Sequence, residues 1–156
     1  MMYLRYAHYI LRHKWFVFLE CLRVGLIWRG ITHDLSKFHP KEFFPYAKQF
    51  FGEKQSVSLA PFHKACLHHY QGNDHHWQWW ACPDSNGVNM LYPMSRGALL
   101  EMICDWRAMN RAKGMEPSVF WYTTNMHKMI LSNETRDTIH KILKLDPYKA
   151  ENEEGR

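Results

Sequence analysis

The 156-residue, 18.8 kDa chain is 46% apolar, 15% aromatic and 22% charged, with a mean hydropathy of -0.48. That is enough chain to bury one core without disulfides or structural metals; it is too apolar for disorder and too charged for an integral membrane protein. The net charge is +5, and because Glu151, Glu153, Glu154 and Arg156 leave the last residues negative, residues 1–150 carry about +7, a balance that favours anionic ligands such as nucleotides or nucleic acid.

Strand signals are nearly absent, whereas apolar residues recur at helical spacing. His13, Val17, Cys21 and Val24 fall at i, i+4, i+8 and i+11 and predict a helix from about Tyr3 to Trp28, ended by a break near Gly30. Within it the run Trp15 to Trp28 is the most apolar stretch, but it is fourteen residues long and interrupted by Glu20, Arg23 and Gly25, too short to span a bilayer. No basic-apolar leader pattern precedes it. Pro40 opens a helix carrying Glu42, Phe43 and Tyr46, and a third helix runs from about Pro61 to Tyr70, stopping at Gly72-Asn73. Cys82 to Pro93 reads as one turn-rich loop, a rim or lid for the histidines before it. Ser95 caps a helix striped by Leu99, Met102, Ile103, Trp106 and Met109. Pro117 opens another, Ser132 or Asn133 caps a last one with Ile139, Ile142 and Leu143, and the tail after Pro147 frays. Cys21, Cys66, Cys82 and Cys104 form no C-x-x-C pair and sit among apolar neighbours, so free buried thiols in a reducing cytoplasm are expected.

The chemistry concentrates in the histidines. His33-Asp34-Leu35-Ser36-Lys37 follows a helix break and offers an imidazole nitrogen and a bridging carboxylate to a divalent metal, with a lysine in reach of a phosphate oxygen. A helix hairpin can return His13 to that pair. Asp105 lies beside an apolar stripe, where an unpaired carboxylate is costly unless it meets a cation or donor. Five histidines, His63, His68, His69, His75 and His76, crowd one segment. Neighbours on a regular helix diverge by about 100°, so His75 and His76 can share an ion only on irregular backbone, which Gly72-Asn73 supplies. A second metal on His69 (or its competitor His68), His75 and His76, with Asp34 bridging, is chemically reasonable. His8, His39, His127 and His140 read as surface or helix-end residues. Trp77, Trp79, Trp80 and Trp121 serve either packing or stacking on a base, packing being the commoner role.

The order H…HD(xx)K…H…HH…D resembles the HD-domain superfamily of metal-dependent phosphohydrolases, including its two-metal members. The whole chain more closely resembles an uncharacterised HD-like family of bacteriophages and bacteria, through His13 with Val17, HDLSKF, Glu42-Phe43, LHHYQGNDHHWQWW, EMICDW and the later WY and MIL segments, over residues 3–143. The resemblance implies a first metal site of His13, His33, Asp34 and Asp105, extra ligands His69, His75 and His76, and a phosphate contact by Lys37. His13 and His33 lie closer in sequence than is usual there, and the glycine-tyrosine-proline signature of the cyclic-dinucleotide enzymes is missing.

The expectation is an all-α, single-domain, HD-like bundle of about six helices over residues 1–145, with 146–156 a polar tail. It binds one or two divalent transition ions (manganese, iron, zinc, cobalt or nickel) and hydrolyses a nucleotide or other phosphoester. Asp34 and Lys37 are the catalytic residues, and Glu42 or a histidine handles the leaving-group proton. A di-iron oxygenase on the same ligands and a non-catalytic nucleotide or nucleic-acid binder are the rival classes. The expected location is the cytoplasm, the host's if the chain is phage-encoded.

Overall fold

In the computed structural model, which describes residues 1–53, 59–112 and 120–145, the first apolar stripe becomes helix α1 (Met2–Arg23), burying Tyr6, Ile10, His13, Val17, Glu20 and Cys21 on one face. It ends five residues earlier than expected. Gly25, not Gly30, breaks it: Gly25 takes φ +77°, a left-handed conformation that costs glycine little. Gly30 instead sits inside the short helix α2 (Ile27–Thr32). Its lack of a side chain serves contact: a Cβ there would come within 2.9 Å of the Cys21 Cβ and 3.1 Å of the Phe18 Cα.

A 3-10 turn over Leu35–Phe38 leads into α3 (Pro40–Phe51), with Pro40 in the first turn and the His39 ring accepting from the Lys41 amide. Helix α4 (Leu59–Gly72) packs on α3 and ends where Gly72-Asn73 was expected to end it. The anticipated loop holds a hairpin, β1 (Ala81–Pro83) against β2 (Asn89–Leu91), antiparallel with Cys82 opposite Met90. The Asp84 carboxylate accepts from the Asn86 and Val88 amides and closes the turn, with Gly87 at φ +79°. Three-residue strands are too short to show alternation, which hid them in the sequence.

Helix α5 (Arg96–Ala112) is capped by Ser95, whose Oγ accepts from the Ala98 amide. Then come α6 (Phe120–Asn125) and α7 (Asn133–Leu143), the latter capped by Ser132 accepting from the Thr135 amide. Pro117 and residues 146–156 lie outside the described residues. Seven α-helices and one small hairpin confirm an all-α architecture among the described residues, and no helix there is long and apolar enough to cross a membrane.

The largest apolar cluster joins Leu99, Met102, Ile103 and Trp106 of α5 to Tyr122, Met129 and Ile139. A second joins Tyr6 and Ile10 to Tyr46, Ala47 and Ala65, and a third joins Val17 and Cys21 to Cys104 and Ala108. Each fully buried aliphatic side chain contributes about 1.5–3 kcal/mol. His13 lies on α1 between the second and third clusters, so these apolar contacts fix where its ring points. The four cysteines are free, but only Cys21 and Cys104 are buried; Cys66 is half-buried and Cys82 exposed, unlike the expectation for all four.

Candidate metal centre

The backbone between α2 and the following turn makes the centre possible. His33 (φ -47°, ψ 126°) and Asp34 (φ 53°, ψ 26°) take the values of the two central residues of a type II turn. A left-handed non-glycine residue is uncommon, though aspartate tolerates the conformation better than most. Adjacent side chains that a helix would splay apart thus approach each other, with His33 Nε2 3.4 Å from Asp34 Oδ2. Lys14 holds the turn from α1, donating to the backbone carbonyls of Ile31 and His33.

Around this pair the fold gathers every other expected ligand. His13 Nε2 lies 2.9 Å from Asp105 Oδ1, which is itself 3.9 Å from His33 Nε2. His69 Nε2 and His75 Nε2 lie 3.3 and 3.4 Å from Asp34 Oδ1, and His76 Nε2 is 2.8 Å from His69 Nε2. Past the end of α4 the backbone turns irregular; His76 is extended (φ -89°, ψ 132°), and the rings of His75 and His76 lie 4.3 Å apart. Potential ligand atoms of Asp34, His69, His75 and His76 fall within 4.8 Å of one another, as do those of His13, His33 and Asp105 and those of His33, His75 and Glu101. The two oxygens of Asp34 divide the work: Oδ1 faces His69 and His75, while Oδ2 faces His33 and the Lys37 ammonium at 2.5 Å.

His33 Nε2, Asp34 Oδ1 and His75 Nε2 are buried without a hydrogen bond, while Asp105 Oδ1 lies against His13 Nε2. Unsatisfied buried polar atoms of this kind cost about 1–3 kcal/mol each, and a cation placed among these three would satisfy them together. The nitrogen and oxygen donor set suits a divalent transition ion, so the residues fit a metal.

Two buried glutamates set the ring orientations. Glu101, 4% exposed, accepts at Oε1 from His33 Nδ1 (2.8 Å) and His75 Nδ1 (3.2 Å), and at Oε2 from Arg29 (2.7 Å). Arg29 also binds both oxygens of Asp74 at 2.8 Å. Glu42, fully buried, accepts at Oε2 from His69 Nδ1 (2.9 Å) and the Ser36 hydroxyl (3.0 Å), and at Oε1 from His68 Nδ1 (2.6 Å). Ionised carboxylates only accept. Each glutamate therefore fixes the proton on Nδ1, and on His33, His69 and His75 this leaves Nε2 facing the centre, as in carboxylate-backed metal ligands.

The buried groups shift one another's ionisation. Burial opposes ionisation of Asp34, but His33 and Lys37 overcome it and hold the carboxyl well below its usual range. For His33, burial lowers the pKa, but Asp34, Glu101 and Asp105 outweigh it and raise it to about 10. His76 is pushed well below its ordinary value, by burial and then by His75 and His69, and stays neutral. Lys37 stays protonated because Asp34 and Asp105 outweigh burial.

Of the expected site residues, His13, His33, Asp34, Lys37, His69, His75, His76 and Asp105 all converge. Between the competing neighbours, His69 faces Asp34, whereas His68 turns outward from Glu42 and is 40% exposed. Glu42 stands behind His69 with both oxygens engaged, not at a free edge of the centre. Among the end-of-helix histidines, His8, His39 and His127 are exposed, but His140 is buried against the Tyr122 hydroxyl. Sequence reasoning missed Glu101, Arg29 and Asp74. One signal was present: Glu101 lies one helical turn before Asp105.

Beside the centre is a cavity of about 220 Å³ walled by Tyr70, Trp77, Trp106 and Trp121, with His75, His76 and Asp105 on the side of the centre. The Gln78 Oε1 in its lining is buried and without a partner. Trp79 is exposed, Trp80 packs on the core and donates to the Asp74 carbonyl. The hairpin contributes no residue to this lining. A larger cavity of about 400 Å³ lies between the start of α5 and α7 and touches no residue of the centre.

No curated protein and no solved structure matches the chain. A family model does, over residues 2–145, a span that contains every residue of the centre, and the chain therefore belongs to DUF5662, a family of unknown function.

Proposed function

We propose that this protein is a metal-dependent phosphohydrolase acting on a phosphoester, with a nucleotide as the leading substrate class. The observation that carries the reading is the set of inward-facing ligand atoms without a hydrogen bond on His33, Asp34 and His75, with the His13–Asp105 pair beside them and a protonated Lys37 on Asp34. This is also the arrangement behind the resemblance to HD-type phosphohydrolases.

His13, His33 and Asp105 would hold one ion and His69, His75 and His76 another, with Asp34 shared through its two oxygens. When bound, such an ion supplies a water of lowered pKa and a Lewis acid for a phosphoryl oxygen. Lys37 cannot ligate while protonated, but it donates to a phosphate oxygen and stabilises the charge that develops there. Glu101 and Glu42 keep the imidazoles aimed. With both its oxygens committed to His68, His69 and Ser36, Glu42 orients His69 rather than serving the leaving group. The tryptophan-walled cavity beside His75 and His76 offers faces for a flat ring, and the Gln78 oxygen offers an acceptor for its N–H.

The test uses protein purified without chelator. Metal analysis should find one or two transition ions per chain, and under anaerobic conditions with manganese the protein should release phosphate from nucleoside monophosphates or nitrophenol from bis(p-nitrophenyl) phosphate. Oxygen uptake in step with product and dependent on iron would assign the centre to a di-iron oxygenase instead. Bound metal with neither activity would leave a binding protein and overturn the catalytic reading.

A further inference from the structure

Helix α1 is apolar on two faces. Its inner face builds the core, yet Leu4, Leu11, Trp15 and Leu22 lie on the opposite side and are 77%, 58%, 57% and 47% exposed. Their spacing of seven, four and seven residues is not scattered. With His8, which is exposed, and half-buried Phe18 it completes an uninterrupted alternation of four and three residues, the seam of a coiled coil. The seam runs along about 27 Å of helix at 1.5 Å per residue.

One flank carries charge and the other meets α2. Arg5 and Arg12 are exposed on the first, and no carboxylate pairs with either among the described residues; on the second, Lys14 is half-buried and bound to the Ile31 and His33 carbonyls. The helix has one acidic residue, Glu20, which is buried and bonded to Arg23. A second copy packed antiparallel on the same seam would set Arg12 against Arg12, which is unfavourable. A flat lipid surface has no use for heptad register. We infer that α1 is a docking face for an amphipathic helix of another protein, apolar along its seam and acidic on the flank that meets Arg5 and Arg12.

The inference stands apart from the metal centre, because the seam lies on the side of α1 opposite His13. Its test is fluorescence anisotropy with a labelled four-heptad peptide carrying leucine at the seam positions and glutamate on the flanks, so that in either orientation one acidic flank meets Arg5 and Arg12. A peptide with lysine on the flanks serves as the control. The glutamate peptide should bind, at least tenfold more tightly than the lysine peptide, and weaken with added salt. Leu11→Glu/Trp15→Glu should abolish binding while melting temperature and metal content stay unchanged, since both side chains are exposed. Failure of the glutamate peptide to bind, or binding indifferent to the double variant, overturns the inference. So do a dimer in sedimentation equilibrium that the double variant abolishes, which assigns the face to a second copy, and flotation with phosphatidylserine vesicles that it abolishes, which assigns it to lipid.

Discussion

Glu101 and Glu42 do the same job on opposite sides of the centre, each buried and each gripping the Nδ1 atoms of two histidines, yet they are anchored differently. Glu101 binds His33 from the turn after α2, His75 from the loop after α4 and Arg29 from α2, and Arg29 goes on to Asp74. A guanidinium is permanently charged. Glu42 has a hydroxyl and two histidines from a single helix, one of them 40% exposed. One side is thus locked by a charge that does not titrate and that is itself clamped by Asp74. The other has no such charge, and one of the two rings it holds is 40% exposed. The comparison teaches that the ligands around His33 and His75 form the fixed half of the centre, and His69 the adjustable half.

Asp34 belongs to both halves, so Asp34→Ala should erase the difference by removing most of the metal, read by elemental analysis, and nearly all phosphoester turnover. Retention of full activity by this variant or by the chelated protein would overturn the metal mechanism. Glu101→Gln should weaken metal binding by about a hundredfold, the upper end for loss of an outer-shell partner, and destabilise the fold by about 3 kcal/mol by unbalancing a buried charge network, read by chelator competition and denaturant melts. Lys37→Met keeps much of the stem and removes the charge. It should lower turnover by about a hundredfold with metal content intact; metal loss would make the lysine part of the scaffold instead. Glu42→Gln should cost only about tenfold in metal affinity. An effect as large as that of Glu101→Gln would show that the two sides are equally rigid.

The smallest effect is on pH dependence. In chelated protein His33 is raised to about 10, chiefly by Asp34 against the pull of burial. Its contribution to stability is therefore complete below about 6.5, the ordinary histidine value, and is lost as pH rises through about 10. The lowered carboxyls of Asp34, Glu101 and Asp105 act in the opposite sense, losing their contribution as pH falls below the ordinary carboxylate range. A metal needs the neutral imidazole, so the gap in melting temperature between loaded and chelated protein should widen from pH 6 towards pH 10. A gap that narrows would place the proton elsewhere.

Much of this centre was legible because its ligands announce themselves by type. His33-Asp34, Lys37, His69, His75, His76, His13 and Asp105 are residues that rarely cluster near apolar segments without a reason, and Gly72-Asn73 marked the irregular backbone that His75 and His76 require. Ser95 and Ser132 were legible as caps because hydroxyl-to-amide bonds are local. What escaped was long-range. Nothing near Glu101 in the sequence says that it meets His33, sixty-eight positions away, and Glu42 looked like a catalytic acid because its partners arrive from another helix. Gly25 and Gly30 are alike in sequence; only the backbone angle of one and the close contact of the other separate them.

That contact has a further reach. Gly30 touches no ligand, yet it lies between Arg29, which locks Glu101, and His33, and its bare Cα lets α2 rest directly on α1. The separation of the two helices there is gauged by backbone against side chain, with no long side chain whose rotamers could absorb an error. A single added methyl group would act as a shim, lifting α2 and carrying the guanidinium and the imidazole with it. The centre inherits its tolerance from a machined surface well outside its own cluster of side chains, so the sequence constraint on this site extends to a residue with no chemistry at all.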